Sequence, residues 1–66
     1  MKKLIPPYRV RCIDNQGSAS KLILGKEYTV LSEVEYFDDL LFVIEGEAHP
    51  WTPSGGFAQG RFEILP

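Results

Sequence analysis

Sixty-six residues with a formal net charge of −2 leave room for one small domain and exclude a multidomain enzyme. A hydrophobic content of 44% with 24% charged residues belongs to a folded globular chain rather than a disordered one. Seven Lys and Arg against nine Asp and Glu create no overall positive field to attract nucleic acid or anionic lipid.

Residues 1–7 read as an arm that carries Lys2 and Lys3 but has only Leu4 and Ile5 before Pro6 and Pro7, too short an apolar stretch for an export signal. The domain proper is expected over 8–66. Tyr8, Val10 and Cys12 alternate with Arg9 and Arg11, which predicts a first strand with its guanidinium groups turned outward. Asp14, Asn15, Gln16 and Gly17 supply turn chemistry. From Tyr28 to Tyr36 the even positions read Tyr, Val, Ser, Val, Tyr, which predicts a second, half-buried strand with those residues inward and Glu27, Thr29, Leu31, Glu33 and Glu35 outward. Asp38 and Asp39 form the next turn, and Leu40 to Ile44 is a short apolar run expected to be a central strand partly covered on both faces. Pro50, Pro53, Gly55, Gly56 and Gly60 then interrupt any long ladder and predict a loop or irregular strand, before Phe62, Ile64 and Leu65 form a short last strand.

Short strands at about ten-residue spacing predict an all-β fold, a small closed barrel or strongly bent sandwich of four or five antiparallel strands. One cysteine forms no internal disulfide, and no apolar run approaches the ~18 residues that span a bilayer, so a chain in a reducing cytoplasm and off the membrane is expected.

Val10, Cys12, Ile13, Asp14 and Asn15, then Leu22, Gly25, Lys26, Tyr28, Val30 and Leu31, and finally Arg61, Phe62 and Glu63 form a pattern spread over most of the chain. In that pattern the sequence resembles small Src-homology-3-like β-barrels, especially short proteins encoded by bacteriophages and prophages. The resemblance implies a 3₁₀ turn near Arg61 to Glu63, with Phe62 in the core and the two charges as a surface pair. It also implies a binding module in the cytoplasm of a bacterial host, acting as a phage accessory factor on a host protein. The pattern says least about 48–56, where a proline-punctuated stretch containing Trp51 replaces a plain hairpin.

Chemistry is sparse. Cys12 falls at an inward strand position and reads as core rather than nucleophile. His49 has no second histidine or cysteine at zinc-like spacing, and Ser54, Gly55 and Gly56 are followed by no lysine and no helix, so neither a metal nor another cofactor is expected. Glu35, Asp38 and Asp39 read as a solvated turn rather than a calcium loop. With no acid–base or nucleophile pair, the chain reads as a non-enzymatic module.

Tyr36, Phe37, Trp51 and Pro53 are the candidate site for a protein or peptide partner, because aromatic-floored grooves bind extended ligands at low entropic cost; the nearby carboxylates favour a basic peptide. The competing reading folds Trp51 back as a plug over one end of the barrel. The alternative function is nucleic-acid binding, with Arg9, Arg11, Lys26 and Arg61 on phosphates and Tyr8 or Trp51 stacking on bases. Sheet edges and exposed rings also leave a homo-oligomer open.

Overall fold

The computed structural model describes residues 5–17 and 21–66, the side chain of Pro53 excepted, so most of the expected arm 1–7 lies outside the described residues. The architecture is all-β. Five strands, β1 (Tyr8–Cys12), β2 (Glu27–Tyr36), β3 (Asp39–Ile44), β4 (Phe57–Ala58) and β5 (Phe62–Ile64), form one antiparallel sheet in the order β4-β3-β2-β1-β5. Two 3₁₀ turns, Pro53–Gly55 and Gln59–Arg61, lie before β4 and between β4 and β5.

The sheet is open. β4 and β5 are its two edges, so the closed barrel expected from the strand spacing is not completed by hydrogen bonds. It is nonetheless sharply bent. β3 and β5 are three strand spacings apart, about 14 Å in a flat sheet, yet the rings of Phe42 and Phe62 meet with centroids 5.9 Å apart. Between these edges Val10, Cys12, Tyr28, Val30, Ile44 and Phe57 fill the core with Phe42 and Phe62, and Leu22 reaches it from the β1–β2 connection. Burial of this apolar surface is the main force holding a chain of this size together.

β1 follows its predicted alternation: Val10 and Cys12 are buried, while Arg9 points to solvent and Arg11 is half-buried. β2 does so only for its first half. Val30 pairs with Ile44, but the next pairing is Ser32 with Val43, so Leu31 is an extra residue on β2 and the strand bulges there. A one-residue slip exchanges the two faces of everything downstream. Glu33 therefore sits opposite the core residue Phe42, while Val34 lies opposite Leu41 on the other face and Tyr36 leaves the interior. The sequence-based assignment of Val34 and Tyr36 to the inward face is corrected by this bulge, which only the pairing with β3 reveals.

Leu41 is buried beneath the β3–β4 loop, where a Cβ added to Gly56 would stand 2.7 Å from the Leu41 Cβ. Only glycine allows that approach. The loop thus covers the second face of β3, as its continuous apolar run predicted.

Glu33 on the core side is accommodated by Tyr8, whose hydroxyl donates to the carboxylate Oε2 and whose ring stands edge-on to Phe42 at 5.9 Å. Burial raises the Tyr8 phenol pKa well above its ordinary value, and the Glu33 hydrogen bond and negative charge push it further the same way. A raised phenol pKa contributes stability that is complete below about pH 10 and is lost as pH climbs toward the folded-state value. Tyr8→Phe is therefore expected to destabilise the fold by about 1.5–3 kcal/mol at neutral pH, the worth of a hydrogen bond to a charged group. Urea titrations from pH 7 to pH 11 should show this difference shrinking only above about pH 10.

Candidate functional site

The tip of the β2–β3 hairpin is a two-residue turn, Phe37–Asp38, closed by the pair Tyr36 and Asp39. Tight hairpin turns require positive φ, normally supplied by Gly or Asn. Here Phe37 adopts φ 55°. For a bulky L-residue this conformation costs about 1–2 kcal/mol. Phe37 is 88% exposed, and its one ring partner among the described residues is Tyr36, with centroids 4.5 Å apart. Tyr36 is itself 38% exposed. Asp38 and Asp39 adjoin the two rings in the turn, both exposed, with Asp39 Oδ1 accepting the Leu40 backbone N–H at 2.7 Å, while Glu35, also exposed, lies on the opposite face of β2 from Tyr36.

Trp51 lies on the β3–β4 loop and is 85% exposed. The plug reading is thereby overturned: the loop is held by its own bonds and not by the indole. His49 N–H donates to the Gly55 carbonyl at 2.8 Å, the Trp51 N–H donates to His49 Nδ1 at 3.1 Å, and the His49 ring packs on Phe57 at 5.4 Å. With Phe57 filling the interior and His49 above it, the ring of Trp51 is left outside. Among the described residues no ring contact joins Trp51 to Tyr36 or Phe37, so the four-residue groove resolves into an aromatic tip and a separate indole. The side chain of Pro53 lies outside the described residues.

The cationic set Arg9, Arg11, Lys26 and Arg61 is already engaged within the molecule. Arg11 is opposite both Glu27 and Glu63 and reaches them at 3.4 and 3.3 Å, and Arg9 shares Glu27 at 3.3 Å. Arg61 donates to the Gln16 carbonyl at 2.7 Å and stands 4.0 Å from Asp14, so it fastens the β1–β2 connection and does not pair with Glu63 as the resemblance implied. Lys26 Nζ lies 5.3 Å from the centre of the Tyr28 ring. Arg9 and Lys26 do border an open groove of about 320 Å³, but it is also lined by Glu27, Glu45 and Glu47. Three carboxylates against two cations give no phosphate-attracting field.

Cys12 is buried, with its sulfur 3.6 Å from the Asp14 carbonyl. Among the described residues no three His, Cys, Asp or Glu side chains converge to hold a metal ion, and no helix is long and apolar enough to cross a membrane.

One surface was not singled out from the sequence. Ile13, Ile23 and Leu24 are each more than half exposed, and the Gly25 N–H bond to the Cys12 carbonyl brings their segments side by side. The available signal was three aliphatic residues within a stretch rich in turn-forming residues.

An indole 85% exposed should emit as a solvated fluorophore in the native state. The expected result is a Trp51 emission maximum that barely moves on urea unfolding and full access to acrylamide; a large red shift on unfolding would place the ring inside.

Comparison of the chain with known protein families, characterised proteins and solved structures finds no match.

Proposed function

We propose that this chain is a non-enzymatic binding module on a Src-homology-3-like scaffold, and that it engages a protein or peptide through exposed aromatic side chains. The observation carrying the reading is Phe37, which is 88% exposed and held at φ 55°. Strained backbone persists where the surrounding structure fixes it, and it concentrates at functional positions. An exposed phenylalanine contributes nothing to the core in return. Tyr36 and Trp51 add two further exposed rings of the kind that dominate interface energetics.

Two features support the scaffold. The 3₁₀ turn Gln59–Arg61 immediately precedes β5, the neighbourhood in which the resemblance places one, and Phe62 at its end is buried. The bend that brings Phe42 to Phe62 also gives an open sheet a barrel-like interior. The phage accessory role in a bacterial cytoplasm belongs to the same proposal and rests on the sequence resemblance. Nucleic-acid binding is less well supported, because Arg9, Arg11 and Arg61 spend their charge on groups of the same molecule.

The test places a photo-crosslinking phenylalanine analogue at Phe37, at Trp51 and, as a control, at Glu63, in cells expressing the full chain. Discrete adducts of defined mass are expected at Phe37 and absent at Glu63. Identical adduct patterns at all three positions, or none at Phe37, would overturn the proposal.

A further inference from the structure

Resting on the reading of the hairpin tip as a binding surface, we infer that the β2–β3 hairpin exchanges between two registers and that the aromatic tip exists in only one of them. The extra residue, Leu31, is what the exchange absorbs and releases.

The observed register is held against local preference. Val30 lies opposite Ile44, and beyond the bulge every pair has slipped by one place, ending with Tyr36 opposite Asp39. That slip sets Glu33 opposite the buried Phe42 and leaves Val34 half-buried outside the main core. It also closes the hairpin on a two-residue turn in which Phe37 takes φ 55°.

The same residues can pair without the bulge. With Leu31 opposite Val43, Ser32 meets Phe42, Glu33 meets Leu41, Val34 meets Leu40 and Glu35 meets Asp39, and Tyr36, Phe37 and Asp38 form a three-residue turn. Each β2 residue after Leu31 then changes face. Val34 turns inward beside Leu40, which already packs against the core; Glu33 turns away from the core; and Tyr36 turns to the core side as the first turn residue. Three-residue hairpin turns place their left-handed residue last. The strained conformation passes from Phe37 to Asp38, a residue type that tolerates it.

Tyr8 holds the observed register. Its hydroxyl donates to Glu33 Oε2, and that bond forms only while Glu33 lies on the core side. Apolar burial and turn geometry favour one register, and a hydrogen bond to a charged group favours the other. Opposed terms of this kind leave two packings of one sequence close in free energy, which is the condition for a switch. The ring pair Tyr36–Phe37, with centroids 4.5 Å apart, belongs to the bulged register. A partner that grips both rings selects that register and draws the population to it.

The test is chemical-exchange saturation transfer on the isotope-labelled full chain, with relaxation dispersion for faster exchange, because register shifts fall in the microsecond-to-millisecond range. Exchange is expected at amides of 31–42 and not along the β1–β5 ladder. Tyr8→Phe should raise the minor population at least about tenfold, the equilibrium worth of the lost hydrogen bond, and move the cross-strand contacts of Phe42 from Glu33 to Ser32. Phe37→Gly relieves the turn and should lower the minor population by about the same factor; it keeps the inference testable even if Tyr8→Phe does not fold. Deletion of Leu31 removes the residue that the unbulged pairing needs and should abolish the exchange with Glu33 still opposite Phe42. Exchange that is absent from both the wild type and Tyr8→Phe, that spreads equally over β1 and β5, or that survives deletion of Leu31 overturns the inference. If exchange is absent while Phe37 crosslinks discrete adducts, the switch fails and the binding-module reading stands. If exchange is found and no adduct forms, the two-register hairpin stands and the binding reading fails.

Discussion

The extra residue at Leu31 sets the terms for the rest of the molecule. Before it, even positions of β2 face the core; after it, odd positions do. Strand pairing has a period of two, so this one insertion has three effects together. It carries Glu33 to the core side, where Tyr8 meets it; it removes Val34 from the main core to the face beneath the β3–β4 loop; and it puts Tyr36 on the outside beside Phe37. An uninterrupted ladder would bury Tyr36 and present Glu33 to water, which is the more comfortable arrangement for both side chains. The observed arrangement trades that comfort for an aromatic tip, and the Tyr8 hydrogen bond offsets part of the cost.

Much of the fold was legible because its signals are local. The alternation Tyr8–Val10–Cys12, the inward pair Tyr28 and Val30, and Phe62 as the anchor of the last strand need only side-chain chemistry and a period of two, and all of these appear as read. The bulge is different, since it exists only as a relation between β2 and β3. Within β2 alone, Val34 and Tyr36 continue the pattern of Tyr28 and Val30 without interruption. The position of Trp51 was likewise hidden, because the space a plug would fill is taken by Phe57 with His49 above it, residues whose convergence depends on the path of the whole loop.

The candidate site was half legible. Tyr36 and Phe37 adjoin a turn in any reading, but their separation from Trp51 follows from the connection made by the β3–β4 loop. The arginines look available in the sequence and are not so in the fold. Arg11 lies between Glu27 and Glu63 only because β1 pairs with both β2 and β5. Such exposed pairs add little stability, commonly below about 1 kcal/mol each. Their effect is on the outward field, which they flatten over the centre of the sheet, leaving uncompensated charge toward its two ends.

The placement of Cys12 has a practical corollary. The residue is 1% exposed at the C-terminal end of β1, where it pairs with Phe62 of the edge strand β5 and its N–H donates to the Lys26 carbonyl. A reagent can reach the sulfur only after this end of β1 has opened, and the shortest way to open it is to detach β5. The rate at which an alkylating agent modifies this cysteine therefore measures how often the β1–β5 margin opens, and the protein carries a native clock for the release of its last strand.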